Sequence, residues 1–315
     1  MAYPYKIEFQ KPDLEALTAD YTVADLHFHT RHSDGMNSVA AIAERAAELN
    51  IGVAITDHNA IDGAVEMDGY KDVLSIPGIE VTAKEGTHLL IYFYDVKSLE
   101  WFYRKDVVPF MGHDTMTSLS LDLKEIIRRA WQYRSVIIFP HPYCGVYTGV
   151  CNLQFSRGGL QELLAMADGV EVINGENLNK WNLQCALLGF NLEKAVTGGS
   201  DGHTLFYLGK VVTYAECAPT RHDFLDAVKE GRSRVVGKEV HIIRKAASNS
   251  MKLKSSIKNY PDIFEKNIRY GYTVFNVKSK NLRDRMKKRI DDHRDRKDRK
   301  AAEKEEALSA EQNDR

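Results

Sequence analysis

Residues 25–35 read DLHFHTRHSDG, and the reading of this stretch decides the fold. It completes a short apolar run, residues 23–28, with the length and composition of a β-strand. Side chains two apart on a strand share a face, so His27 and His29 can grip one ion together. The loop beyond contributes Ser33, Asp34 and Gly35. Ser38 then caps a helix over residues 39–49, with Val39, Ile42, Ala46 and Leu49 on one side.

The same alternation continues outward from this unit. Further strands are expected at 52–56, 73–81 (around Pro77-Gly78), 88–94, 135–139, 169–173, 195–198 and near Val235. Helices are expected at 122–133, 160–166, 178–188 and 222–230. In the first of these, Leu123, Ile126, Ile127, Ala130 and Trp131 recur at helical spacing. Strands alternating with helices favour a parallel sheet, because each parallel return needs a crossover. About seven such units over residues 22–240 suggest a closed or nearly closed barrel.

Polar residues gather where these strands end. The second strand runs into Asp57-His58-Asn59 and the third carries Glu80. The fourth begins at His88, the fifth runs into His141, and a later one into Ser200-Asp201-Gly202-His203. Most lie where a strand leaves the sheet toward its C-terminal face, where barrel enzymes assemble their sites. A single buried histidine is usually a satisfied structural residue. Six of them beside several carboxylates would be an electrostatic liability without cations. Imidazole and carboxylate without thiolate suit Zn, Mn or Fe, and the number of donors exceeds the need of one ion.

Composition frames this reading. In 315 residues, 43% hydrophobic and 28% charged fractions are those of an ordinary globular enzyme. Cys144, Cys151, Cys185 and Cys217 form no CxxC pair and read as reduced thiols of a cytoplasmic protein. No signal peptide is visible at the N-terminus, and runs such as 89–94 are too short to span a bilayer. The chain divides into an N-terminal segment (1–21), the strand-helix body (22–240), a segment with apolar residues that can pack onto it (241–279), and a charged, helix-prone tail (280–315). Residues 278–315 carry 14 Lys/Arg and 10 Asp/Glu; with −1 for the whole chain, the remainder stands at −5. The tail mixes both signs and lacks interleaved aromatics, which argues against a nucleic-acid arm.

DLHFHTRHSDG (25–35), ITDHN (55–59), PGIEVT (77–82), THLLIYFYD (87–95), FPHP (139–142) and GGSDGH (198–203), in that order, resemble the PHP (polymerase and histidinol phosphatase) family. The resemblance implies a distorted (β/α)7 TIM-like barrel, here with a charged helical C-terminal extension, and two or three divalent metal ions. By motif position, His27, His29, Glu80 and Asp201 would hold one ion, with Glu80 bridging to a second held by His88 and His141. Asp34, His58 and His203 would hold a third. Some family members have histidine where this chain has Asp34, which bears on the affinity and metal preference of that third site.

The activity implied is phosphate-monoester hydrolysis by a metal-activated hydroxide, on a nucleotide or related small phosphorylated molecule. Asp201 and His203 are the candidate catalytic residues, His203 or metal-bound water protonating the leaving group. Arg31, Arg157 and Lys180 are candidates for the substrate phosphate. The loop 143–149, with its tyrosines and glycines, is placed to stack on a base or cover the site. His32 reads as a spacer and Asp57 as a hydrogen-bond partner of a ligand imidazole. His113, His222, His241 and His293 match no motif and read as surface or packing residues. Asn174 and Asn177 fall at the functional end without a role. The alternative enzyme reading is a nuclease trimming oligonucleotides with the same ions. A non-catalytic metal scaffold would be expected to lack ligands, and an amidohydrolase to lack the SDG and GSDGH segments.

Overall fold

A computed structural model describes residues 6–145, 148–153 and 158–239. The segments 241–279 and 280–315, with His241 and His293, lie outside the described residues, as do Arg157 and positions 146 and 147 of the 143–149 loop.

Among the described residues, the strands are β1 (Ile7–Glu8), β2 (Thr22–Phe28), β3 (Gly52–Ile55), β4 (Ser75–Thr82), β5 (His88–Phe93), β6 (Ser135–Phe139), β7 (Gly169–Asn174), β8 (Ala195–Gly199), β9 (Val211–Ala215) and β10 (Arg234–Gly237). The helices are α1 (Leu14–Asp20), α2 (Val39–Glu48), α3 (Asp62–Met67), α4 (Val96–Phe102), α5 (Leu123–Ala130), α6 (Gly159–Met166), α7 (Asn179–Leu192) and α8 (Arg221–Lys229). None is long and apolar enough to cross a membrane.

Local chemistry accounts for the helix ends. Ser38 Oγ accepts from Ala41 N at 3.3 Å and starts α2, which buries Val39, Ile42, Ala43 and Ala46. A reciprocal cap starts α5: Asp122 accepts from Glu125 N at 2.9 Å, and Glu125 accepts from Asp122 N at 3.1 Å. Leu123, Ile126, Ile127 and Ala130 form its buried face. Trp131, expected on that face, follows the last helical residue and is 55% exposed.

The strands form one mixed, curled sheet in the order β1-β10-β9-β2-β3-β4-β5-β6-β7-β8. Pairings β2–β3, β3–β4, β6–β7 and β7–β8 are parallel, as expected. The expectation of a wholly parallel sheet is corrected at β5, which runs antiparallel to both β4 and β6. Only residues 83–87 separate β4 from β5, too few for a crossover of a dozen or more residues. The link is instead a tight turn in which Ala83 N donates to Thr87 O at 2.8 Å, with Gly86 at φ +79°. Strand β9 runs antiparallel to β2 and β10, and β1 adds a parallel edge to β10.

Apolar packing lies on both faces of the sheet. Small and large side chains alternate on one side (Ala24, Leu26, Ala54, Leu90, Tyr92, Ile138), where Tyr92 OH donates to Leu26 O at 2.8 Å. The far end of the sheet curls back toward β2. His29 N donates to Gly202 O at 2.9 Å and Gly202 N to His27 O at 3.3 Å, while the Asp25 carboxylate accepts from Ser200 N at 2.9 Å and Gly209 N at 3.0 Å.

Gly199 is what allows this approach, since a Cβ there would stand 2.3 Å from His27 Cβ and 2.7 Å from its backbone N. Gly199→Ala is expected to destabilise the protein by about 3 kcal/mol through overpacking of backbone against backbone. Gly145→Ala, whose Cβ would meet only Trp181 Nε1 at 3.5 Å, should stay within about 0.5 kcal/mol. Urea denaturation midpoints of the two variants check the contrast, and equal midpoints would contradict it.

Candidate metal centre

Strand ends and loops deliver nine donor residues to one rim of the sheet. His27 and His29 leave β2, and Asp34 sits in the loop before α2. His58 follows β3 and is bridged to Glu80 of β4. Reversal of β5 is what brings His88 to the same rim, because its first residue pairs with Thr82, the last of β4. His141 follows β6, and Asp201 and His203 follow β8. All but Asp201 and His203 are buried.

Glu80 is the common point. Its Oε2 lies 3.3 Å from His27 Nε2, 3.4 Å from His29 Nε2 and 3.2 Å from His58 Nδ1. Its Oε1 lies 2.8 Å from His88 Nδ1 and 3.5 Å from His141 Nε2. Asp201 Oδ1 closes the first group at 3.4 Å from His27 Nε2 and 3.1 Å from His29 Nε2. Asp34 meets His203 Nε2 at 2.8 Å, with His29 Nδ1 at 3.8 Å and His58 Nε2 at 4.0 Å.

Four triads result whose donor atoms all lie within 4.8 Å of one another: His27-His29-Asp201, His29-Asp34-His203, His29-His58-Glu80 and Glu80-His88-His141. Every residue expected as a ligand from the sequence takes part in at least one of them. The grouping differs at His58: it joins Glu80 and His29, on whose ring it stacks at 4.7 Å, while Asp34 and His203 pair with His29.

The donor set fits divalent cations on its hydrogen bonding alone. His27 Nδ1 lies 3.0 Å from Glu171 Oε1, which takes the Nδ1 proton and leaves Nε2 as a lone pair. That lone pair faces two carboxylates, and among the described residues both oxygens of Glu80 are met only by imidazole nitrogens. Buried acceptors turned on one another are costly unless a cation or added protons stand between them. In their absence the imidazoles take up protons. Burial alone would lower His27, but Asp201, Glu80 and Glu171 raise it well above 6.5. Burial likewise opposes His29, which Asp201, Asp34 and Glu80 raise, and His141, which Cys144 and Glu80 raise well above its ordinary value. His58, by contrast, is pushed down to about 3 by burial despite Glu80. Burial would raise Glu80 and Asp201, yet their imidazole neighbours hold both well below the usual carboxylate range.

The backbone is strained where donors are presented. His141 (φ +30°), Asp201 (φ +50°) and Asn59 (φ +43°), which follows His58, are left-handed non-glycine residues. Such conformations cost on the order of 1–3 kcal/mol each and persist where surrounding bonds over-determine them. Here, His141 N donates to Glu171 at 2.9 Å and Asn59 N to Glu80 O at 2.9 Å. Asn59 Nδ2 also donates to Thr115 O and Thr117 O.

Other candidates fall elsewhere. Asp57, expected beside a ligand imidazole, instead accepts from Thr30 N, Thr30 Oγ1 and Ser33 Oγ, and so shapes the loop that carries Asp34. The reason is geometric: Asp57 faces the start of that loop while His58 faces Glu80. His32 lies 3.5 Å from Glu66, and exposed Lys180 lies over the Trp181 ring. Arg31 is exposed on the loop after β2. His113 is exposed and His222 packs its ring 5.5 Å from that of Tyr94. Cys144 is buried, its Sγ accepting from Gly149 N at 3.2 Å. Glu171 carries no assignment from the sequence, although one acid in the apolar strand GVEVIN is a signal for it.

The PHP domain family model matches residues 25–99, and a model described as PHP-associated matches residues 188–233. The likeness to the PHP domain thus lies within the strand-helix body. The first match spans four of the donor-bearing segments, from β2 to β5, and the second spans Asp201 and His203. No curated protein matches the sequence.

Three solved structures resemble this chain in fold. One is a two-domain protein from Bacteroides vulgatus described as containing a predicted PHP-like metal-dependent phosphoesterase (17% identity, 75% of this chain and 70% of that one, TM-score 0.52). Another is PsfC from Pseudomonas syringae (18% identity, 75% and 99%, TM-score 0.55). The third is a lesion-specific endonuclease from Pyrococcus furiosus (18% identity, 73% and 66%, TM-score 0.57).

Proton and cation compete for the same imidazoles, and this sets a pH dependence. The raised histidines His27, His29 and His141 stabilise the metal-free fold below about pH 6.5, and that stability is lost as pH rises through their folded values. Glu80 and Asp201 contribute above their ordinary values and lose that contribution only in strong acid. The melting temperature of chelator-treated protein should therefore fall as pH rises above about 6.5, while its gap to metal-loaded protein widens. Thermal melts across that range check this, and a gap independent of pH would mean that cations displace no imidazole protons.

Proposed function

We propose that the protein is a metal-dependent phosphoesterase that hydrolyses phosphate monoesters of a nucleotide or a related small molecule. The observation carrying this reading is Glu80, one buried carboxylate with both oxygens turned to different imidazole groups. A carboxylate so placed suits two cations side by side, and Asp34 with His203 offers a third position. We read strands β2–β8 as the distorted (β/α)7 barrel implied by the motifs, with β5 reversed.

Divalent Zn, Mn or Fe held there would supply Lewis acidity toward phosphoryl oxygens and activation of water. His27, His29 and Asp201 would hold one ion and His88 and His141 the other, with Glu80 between them. His203 stands at the open side, its Nδ1 2.9 Å from Asp201 O, which leaves Nε2 as the nitrogen that holds metal or exchanges a proton with the leaving oxygen. Arg31 and Lys180 are retained as candidate contacts for the substrate phosphate from their loop positions alone.

The second reading, a phosphodiesterase that trims oligonucleotides, draws on the likeness of fold to the Pyrococcus furiosus endonuclease. Its weakness is charge: the chain is near neutral overall and acidic outside residues 278–315, where a phosphate-tracking surface would be basic.

The test is phosphate release by the Mn-reconstituted chain on mononucleotides, 3′,5′-bisphosphonucleosides, histidinol phosphate and short oligonucleotides in parallel. Asp201→Asn is the preferred control, because asparagine tolerates the left-handed backbone at 201 where alanine would add strain. Turnover of a monoester is expected, falling in this variant by more than the roughly 10–100-fold typical of a lost ligand-supporting partner. Shortening of oligonucleotides without monoester turnover would favour the second reading, and metal binding with no turnover would overturn both.

A further inference from the structure

We infer that Glu171 is a positioning residue for two ligand groups at once, fixing the His27 tautomer and the strained His141 backbone so that both present ring nitrogens to metal. The inference rests on the metal-centre reading above and assigns a role that no motif segment of the chain covers. Glu171 lies in β7, 1% exposed, with both oxygens engaged. Its Oε1 takes the His27 Nδ1 proton across 3.0 Å. Its Oε2 accepts from His141 N at 2.9 Å and from Asn174 Nδ2 at 2.9 Å. The second Asn174 Nδ2 proton goes to Asp201 Oδ2 at 3.1 Å. One carboxylate and one amide thus touch His27 and Asp201 of the first group and His141 of the second.

The chemistry explains why the residue is an acid. Every neighbour of Glu171 is a donor: an imidazole N–H, a backbone N–H and an amide N–H. Only a group that accepts on both oxygens satisfies all three. The amide introduced by Glu171→Gln has the same shape and cannot. With its oxygen turned to His27, its NH2 would oppose the His141 and Asn174 donors. Turned the other way, its NH2 would donate to His27 Nδ1, push the ring proton to Nε2 and direct that proton at Glu80 and Asp201. In the second case His27 is lost as a ligand, and in the first His141 loses the bond that holds its left-handed backbone.

Asn174 is itself fixed, since Asn182 Oδ1 accepts from Asn174 N at 3.1 Å and Asn182 Nδ2 donates to Asn174 O at 2.9 Å. The support therefore runs from α7 through the end of β7 into the metal centre.

The test uses the full metal-stripped chain, wild type and Glu171→Gln, titrated with Zn(II) by calorimetry, with bound zinc counted by elemental analysis. Expected is zinc binding by the wild type and a roughly 10–100-fold loss of affinity in the variant, with unchanged far-UV circular dichroism. Equal affinity in the two would overturn the positioning role and leave the metal centre standing. A wild type that binds no zinc would overturn both. Should Glu171→Gln fail to fold, ¹⁵N-histidine spectra of zinc-loaded wild type decide: His27 protonated at Nδ1 and coordinated through Nε2 supports the role, and the opposite tautomer overturns it.

Discussion

The structure turns on one buried carboxylate. Glu80 has both oxygens inside a ring of imidazoles, with no other group among the described residues against them to balance its charge. An ionised carboxylate removed from water is tolerable only with positive charge close by. Everything around it can be understood as the means of supplying that charge at a defined place. The nearest imidazoles approach from β2, β3, β5 and β6, so no single element controls the site. The same residue also fixes geometry through its backbone, because Glu80 O accepts from Asn59 N and Asn59 Oδ1 accepts from Thr82 N. Strand β4 and the His58 turn are therefore set against each other before any side-chain donor is considered.

Reversal of β5 follows from the same requirement viewed along the chain. A parallel strand would present His88 at its N-terminal end, on the far side of the sheet from the donors of β4 and β6. A hairpin puts that end beside Thr82 instead. The short turn, residues 83–87, makes any other arrangement impossible. Loop length thus selects strand direction, and strand direction selects whether His88 can reach Glu80. The second layer of polar residues does similar work on finer geometry. Asp25 gathers Ser200 and Gly209 to β2, with burial pushing its carboxyl up to about 6 against the hydrogen bonds it accepts. Asp57 shapes the loop bearing Asp34.

Much of this is legible in the sequence because the informative residues are of the wrong type for where they sit. Histidines at the ends of apolar runs have no packing explanation, so His27, His58, His88 and His141 point to a site before any fold is known. Helices with capping residues, such as Ser38 and Asp122, are legible for local reasons of the same kind. Strands β1 and β9 are not, since they are short and defined by partners far away in sequence. Strand direction is hidden because periodicity reports which face is buried and says nothing of orientation. Asp57 misleads for a related reason: adjacency to His58 suggests a shared purpose, while consecutive residues at a strand end face opposite ways. Glu171 shows in the sequence only as a lone acid in an apolar strand, and its role exists only through partners that the fold brings to it.

The position of the donors also couples the site to closure of the sheet. His27 and His29 lie at the end of β2, which pairs with β9 and β3 inside the sheet, and Asp201 follows β8, the last strand in the order. Strand β8 and the residues after it meet β2 through the Gly202 contacts with His27 and His29 and through the Asp25 carboxylate, and meet β9 through Thr213 Oγ1, which bonds Gly198. A cation shared by His27, His29 and Asp201 would span that seam, so its binding energy would act on the long-range contact that loop entropy makes hardest to form. The seam is also where backbone strain sits, at Asp201, and where no side chain fits, at Gly199. Bound metal would therefore add to the closure at the point where strain and close approach oppose it. Stability and metal occupancy would then be linked through the protonation of the same imidazoles.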